Sequence, residues 1–380
     1  MNLAEWVRVY AVSFLGRVCS FLLNVCIAHQ WGEKGMYAHT IFVPWLYSTL
    51  TFVYKETMRQ VKPSLSDQRI LMQINMGIAG VLLLFLSLLT DTVPWIAVGV
   101  LCTGCFIELL ADPDISNLPI EQRLQIEAQC NMVRLLMLGG ASFFLQSTYA
   151  MTTMAIAQCV YGVCCVAWTQ KRRSTPIVVT QSRHLDVVRV YLMNVLRYLL
   201  VDMDKIALMA MNVTVSTSAS WGMATAMGSL LIRVVFLPLE QVAFYKFVHA
   251  SSTEQKRHEL VSSLMLVATI YLVFVAVFAM VYDQMIPLLY GYHWKNEDLS
   301  LVALYVYTYV PLCAINGILD AFCRTRTRHS YMVSLVALTC LHVVVVVMGA
   351  SYDNDHMLWM IGFSMSCRIC FSVCSIAFDF

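Results

Sequence analysis

Charged side chains stand in rows inside membrane-length apolar stretches of this chain, and few folds can accommodate that. Ser13, Arg17, Ser20 and Asn24 recur at spacings of four, three and four within the apolar run from Val9 to Ala28. At about 3.6 residues per turn they occupy one helix face. A charge at the bilayer centre costs roughly 2.5–3.5 kcal/mol even on lenient insertion scales. Such a face must therefore meet protein or water, not lipid. Comparable rows recur at Tyr47, Thr51, Lys55 and Arg59; at Glu127, Asn131 and Arg134; and at Thr225, Ser229, Arg233 and Glu240, below an expected kink at Pro238. Tyr305, Tyr309, Asn316 and Asp320 form another row, as do Ser364, Arg368, Ser372 and Ser375. The pattern predicts a polar interior within a bundle of membrane helices.

Composition agrees. Of 380 residues, 59% are hydrophobic and 13% charged, with mean hydropathy +0.69, whereas a soluble domain carries about 25% charged residues. Spans of about 20 residues are placed at roughly 9–29, 36–58, 70–90, 93–112, 124–147, 149–169, 187–211, 219–248, 260–283, 299–323, 330–349 and 357–378. The fold class expected is an all-α polytopic membrane protein of about twelve transmembrane helices in two six-helix bundles. Three segments follow: an N-terminal bundle over 1–170, a basic cytosolic linker over 171–186 and a C-terminal bundle over 187–380. Val7-Arg8-Val9-Tyr10 and Val188-Arg189-Val190-Tyr191 open the two halves alike, as internal repeats in transporters do.

With the N-terminus cytosolic, cytosolic loops collect Arg59, Lys62, Arg69, Arg123, Lys171, Arg172, Arg173, Arg183, Lys246, Lys256, Arg257, Arg324, Arg326 and Arg328. The opposite loops hold little beyond Lys34 and Lys295. This positive-inside bias predicts cytosolic N- and C-termini. Arg17 interrupts the first apolar run and no small-residue cleavage site follows, so the first helix is expected to be a retained span. A net charge of +2 without a basic domain gives no basis for nucleic-acid binding.

Buried ion pairs and interhelical hydrogen bonds would explain any one polar residue. Arg17, Lys55, Arg59, Arg233 and Arg368 on several helices ask for more, because intramembrane ionisable groups mark substrate or ion paths. Arginine's planar fork grips phosphate oxygens and keeps its charge when partly desolvated. Pooled bases would suit an anionic head group such as a diphosphate. Glu56, Glu108, Glu240 and Asp320 would hold those bases in place or carry protons or cations; the residues themselves allow either. The seventh span, with Arg197, Asp202, Asp204 and Lys205 on more than one face, is expected to lie near the boundary of the halves and to be broken.

Catalytic, metal and cofactor chemistry is not expected. Asp-x-Asp occurs at Asp112/Asp114, Asp202/Asp204 and Asp353/Asp355 with no companion nucleotide-binding domain. No Gly-x-Ser-x-Gly, His-Glu-x-x-His or P-loop pattern is present. Cys102/Cys105 and Cys367/Cys370 lie in apolar helices and read as packing. The sequon at Asn212-Val213-Thr214 lies too near the membrane for glycosylation to be expected.

Several motifs resemble the Rft family, a branch of the MOP flippase superfamily. Gly228-Ser229-Leu230 with Arg233, Phe236, Pro238, Glu240 and Phe244-Tyr245 resembles its eighth span, and Ala314-Ile315-Asn316-Gly317 with Asp320 its tenth. Lys55-Glu56-Thr57-Met58-Arg59 is similar to its second, and Glu108-Leu109-Leu110 before Pro113 to its fourth. Asn24 and Arg368 also fit. The resemblance implies a MOP/MATE-like fold, a V-shaped pair of six-helix bundles around a basic central cavity. It implies a non-enzymatic, flippase-like lipid transporter in the endoplasmic reticulum membrane, moving the dolichol-diphosphate-linked oligosaccharide used in protein N-glycosylation. On that reading Arg17, Lys55, Arg59, Arg233 and Arg368 bind phosphate. Asn24, Glu56, Glu108, Glu240, Asn316 and Asp320 order these bases or bind sugar. The implied partners are the glycolipid, membrane lipids and enzymes of N-glycosylation. The chain departs from the family in His29 and Lys55, where arginine is usual, in a shorter central loop, and in ending about two helices earlier than typical members. Two other functions fit the same residues: a cation- or proton-coupled exporter of drugs or small solutes, and an accessory factor of N-glycosylation that transports nothing.

Overall fold

The computed structural model describes residues 3–61, 64–89, 95–118, 120–172, 184–211, 213–250, 252–291, 294, 296–324, 329–352 and 354–377. Among them every regular element is a helix. The order is α1 (Leu3–Met36), α2 (Val43–Val61), α3 (Leu65–Leu89), α4 (Trp95–Asn117), α5 (Ile120–Phe144), α6 (Ala150–Arg172) and α7 (His184–Ala210). There follow α8 (Val215–Leu231), α9 (Leu237–His249), α10 (Thr253–Tyr290), α11 (Asn296–Leu304), α12 (Val310–Arg324), α13 (His329–Ala350) and α14 (Asn354–Ala377). Among the described residues six helical segments are long and apolar enough to cross a membrane, by length and composition. In the most apolar of these, Thr253–Met285, only 11% of the most apolar stretch is buried. Its Leu272, Val273, Val277 and Met280 point outward, an arrangement suited to lipid and not to water. The chain is a multi-pass membrane protein.

Proline shapes the longest helical segments. Wide π-helical turns at Tyr37–Phe42, Ile232–Phe236 and Tyr305–Tyr309 join α1 to α2, α8 to α9 and α11 to α12. Each is followed two residues later by proline: Pro44, Pro238 and Pro311. Proline has no N–H to give the carbonyl four residues back, and its ring crowds that carbonyl, so the helix widens there. At Pro311 that carbonyl is Tyr307, and the Tyr271 hydroxyl from α10 donates to it at 2.9 Å. The kink expected at Pro238 takes the form of one of these turns. In α1, Gly32 at φ 55° breaks the helical path, a conformation that only glycine adopts cheaply.

Two compact units divide the chain, Met1–Val215 and Ser216–Phe380. In the first, α4 lies on α6, α1 on α5, and α2 on both α4 and α7. The α4–α6 crossing is very close. A Cβ added at Gly162 would stand 2.7 Å from the Gly104 carbonyl oxygen, and one at Gly104 2.7 Å from the Cys159 backbone nitrogen. Small residues allow such backbone contact in membrane helices. In the second unit α12 is packed by α9, α10 and α14, and α13 pairs with α14.

The sequence places α7 at the head of the second half, yet it packs within the first unit. Asn194 donates to Thr57 Oγ1 at 3.2 Å, and the Tyr198 hydroxyl meets Thr49. Val187, Tyr191 and Tyr198 join Val53, Tyr54 and Met58 in one apolar cluster. The expected break in α7 is also absent. Lys205 closes on Asp202 within the helix, which gives both charges partners without unwinding the backbone.

Candidate functional site

An ionic network lies inside the first unit, built from α2, α4, α5 and α6. Glu108 of α4, 1% exposed, is its hub. The Lys55 ammonium pairs with Glu108 Oε1. The Tyr47 hydroxyl, two turns before Lys55 on α2, donates to the same oxygen at 2.9 Å. Lys55 also donates to Tyr47 at 3.1 Å. Glu108 Oε2 accepts from the Gln158 amide of α6 at 2.7 Å. Gln158 Oε1 in turn accepts from Arg134 Nη1 of α5 at 3.2 Å. The Arg134 guanidinium stands 5.3 Å from the centre of the Tyr161 ring, within cation–π range.

One turn along α2 from Lys55, Arg59 joins the same interior. It donates to Glu127 of α5 at 2.6 Å and to Glu56 at 3.2 Å. The three side chains are about a third exposed or less. Asp112, one turn after Glu108, is 2% exposed and lies within electrostatic reach of Lys55 and Arg59. The close α4–α6 crossing makes this hub possible. Gly104 and Gly162 bring the backbones together one turn from Glu108 and Gln158, so that both side chains meet across the seam.

Of the expected residues, Lys55 and Glu108 thus join one bonded group, and Arg59 and Glu56 a second group one turn away, with Asp112 in electrostatic reach of both bases. Asn24 of α1 is half-buried elsewhere in the unit. The side chains of Arg17 and Arg233 lie outside the described residues, as does Asn212 of the sequon. In the second unit Glu240 of α9 approaches α12, where its Oε2 stands 2.9 Å from the position of a Cβ at Gly317. Asn316 and Asp320 on α12 and Arg368 on α14 are half-buried. Arg368 acts electrostatically on His342 of α13, which bonds to Ser364 at 2.9 Å. Tyr305 fills the space beside Gly228 and meets Trp221 edge-on at 5.7 Å, so this part of its row is packing. Thr225 and Ser229 bond to carbonyls of their own helix.

Gln158 and Tyr161 were not among the expected site residues, and Asp112 was set aside as part of an Asp-x-Asp. Glu108 and Asp112 are four apart on one face of a membrane-length helix, a signal that pointed to both. Gln158 is a single amide on an apolar helix and carries no periodic signal.

Residues 10–380 match the family described as Rft protein. The chain belongs to the Rft family. Two curated relatives are similar to parts of it. The Man(5)GlcNAc(2)-PP-dolichol translocation protein RFT1 of Schizosaccharomyces pombe is 30% identical over 133 residues, 33% of this chain and 25% of that protein. Its namesake from Eremothecium gossypii is 26% identical over 163 residues, 39% of this chain and 29% of that protein. The matched stretch spans between a quarter and a third of the length of these relatives. Among solved structures, an inward-facing MATE family multidrug transporter of the MOP superfamily aligns with TM-score 0.66 and 12% identity, over 95% of this chain and 94% of its own. The lipid II flippase MurJ aligns with TM-score 0.68 and 10% identity, over 98% and 87%. These likenesses show a MATE/MurJ-like fold.

Proposed function

We propose that this Rft protein moves the dolichol-diphosphate-linked oligosaccharide across the endoplasmic reticulum membrane for protein N-glycosylation, acting as a translocator and not as an enzyme. The observation that carries this reading is the family match over residues 10–380, and the names of the two yeast relatives supply the cargo class. The likeness to a lipid flippase and to exporters fits a transport fold. On this reading the chain crosses the membrane twelve times with both termini cytosolic, in two six-helix bundles.

The chemistry asked of the residues is charge exchange. Lys55 and Arg59 are held by Glu108, Glu56 and Glu127 when no anion is present. A diphosphate offers bidentate oxygen pairs of the same kind, so it can replace carboxylates without leaving a base desolvated and alone. Arg17, Arg233 and Arg368 would supply further phosphate contacts. Asn24, Glu240, Asn316 and Asp320 would order those bases or meet sugar hydroxyls. The polyprenyl tail stays in lipid because moving it through a polar interior would forfeit its apolar burial.

Binding tests the cargo. Purified protein in nanodiscs should gain thermal stability from a short-chain polyprenyl-diphosphate chitobiose and not from tetraphenylphosphonium, a cationic exporter probe. Stabilisation by the cation alone would favour the small-solute exporter.

A further inference from the structure

Asp112 is almost fully buried, and its Oδ2 has no hydrogen-bond partner among the described residues. The bases in reach bond elsewhere: Lys55 closes on Glu108, and Arg59 on Glu127 and Glu56 through its terminal nitrogens, while its Nε makes no hydrogen bond among the described residues. Together with Asp112, the two bonded groups hold three bases, Lys55, Arg59 and Arg134, against four carboxylates, Glu56, Glu108, Asp112 and Glu127. One negative charge is in excess. A buried cluster with one carboxylate charge in excess is disfavoured, and uptake of a proton or another cation neutralises it.

We propose that Asp112 is the seat of one exchangeable monovalent cation, a proton or a sodium ion, inside the first unit. The groups that act on it are Tyr54, Lys55 and Arg59 from α2, Glu108 on its own helix and Glu127 from α5. Tyr161 and Cys165 of α6 face the Lys55–Glu108 pair behind it. His39 lies within electrostatic reach of Arg134. Among the described residues no group of three or more His, Cys, Asp and Glu side chains could hold a metal, which disfavours a divalent ion. A proton needs only the orphaned oxygen. Sodium would need more oxygens, and Pro113, next in the chain, lacks the N–H that a helix would give the Leu109 carbonyl. The charge count makes the exchange useful: loading or releasing one cation at Asp112 changes how firmly the carboxylates hold Lys55 and Arg59. The cation seat does not depend on which solute crosses the membrane.

The full chain in nanodiscs tests this by thermal unfolding, with sodium chloride against choline chloride at matched ionic strength and across mildly acidic to mildly alkaline pH. A bound ion stabilises by mass action. Wild-type Tm should rise in a dose-dependent way with sodium at fixed pH if sodium is the occupant, or on acidification in choline if a proton is. Asp112→Asn should lose that response, while Asp112→Glu and Asp114→Asn keep it. A wild-type protein flat to both ions, or an Asp112→Asn protein responding like wild type, overturns the proposal. If Asp112→Asn does not fold, infrared spectroscopy decides between wild type and Asp112→Glu. A protonated-carboxyl band, or a sodium-dependent carboxylate shift, that moves in the Glu variant supports the seat; neither signal overturns it.

Discussion

At the scale of single residues, the first unit is held by charges that need one another. Removing one partner of a buried pair leaves the other desolvated, at a cost of about 3–5 kcal/mol, while replacing both is often close to neutral. Glu108→Ala is therefore expected to lower Tm sharply. Lys55→Met with Glu108→Leu should recover most of the loss, read by thermal unfolding in detergent; equal losses in the single and double variants would contradict the pairing. Gln158→Leu removes the amide that joins Glu108 to Arg134. Leaving such groups unmatched is expected to cost about 1–3 kcal/mol. Lys55, Glu56, Arg59 and Glu108 were legible in the sequence because an ionisable residue in an apolar stretch stands out. Their partners were less so. Which base meets which acid depends on helix neighbours, and Glu127 reaches Arg59 across 68 positions of chain, a pairing that periodicity on one helix does not encode.

At the scale of elements, close crossings and proline turns decide where those side chains go. Gly162→Ala puts a Cβ 2.7 Å from the Gly104 carbonyl oxygen, which is backbone and has nowhere to go. Overpacking of this kind costs about 1–3 kcal/mol, and the separation should also weaken the Gln158–Glu108 bond. Gly139→Ala, with nothing within 4 Å of the added atom, is the control expected to leave Tm unchanged. Tyr271→Phe removes the hydroxyl donor of the Tyr307 carbonyl. It should cost about 0.5–1.5 kcal/mol, measured in the same melts. Element positions were legible to within about seven residues, since membrane helices announce themselves by length and hydropathy. The kink at Pro238 was legible as well, because proline removes a donor wherever it stands in a helix. The expected break in α7 was not found, because an Asp202–Lys205 pair three residues apart neutralises charges that look costly when counted singly.

At the scale of the whole molecule, two helical units with polar interiors share their fold with transporters of the MOP superfamily. An all-helical membrane fold was readable from composition and rows of charge, and its MATE-like form from the motif resemblance. The packing of α7 on α2 through Asn194 and Tyr198 was not, since those residues are unremarkable in sequence. What the charged interior serves is decided by transport. The most direct measurement is movement of labelled dolichol-diphosphate-linked oligosaccharide across vesicles containing the purified full chain, read by access of an impermeant glycosidase or lectin. The account predicts that wild-type protein exposes cargo from the inner leaflet well above protein-free vesicles, and that Arg59→Ala with Arg368→Ala slows it while the protein stays folded. Folded wild-type protein that binds the glycolipid and leaves it on its original side would contradict translocation and leave an accessory role.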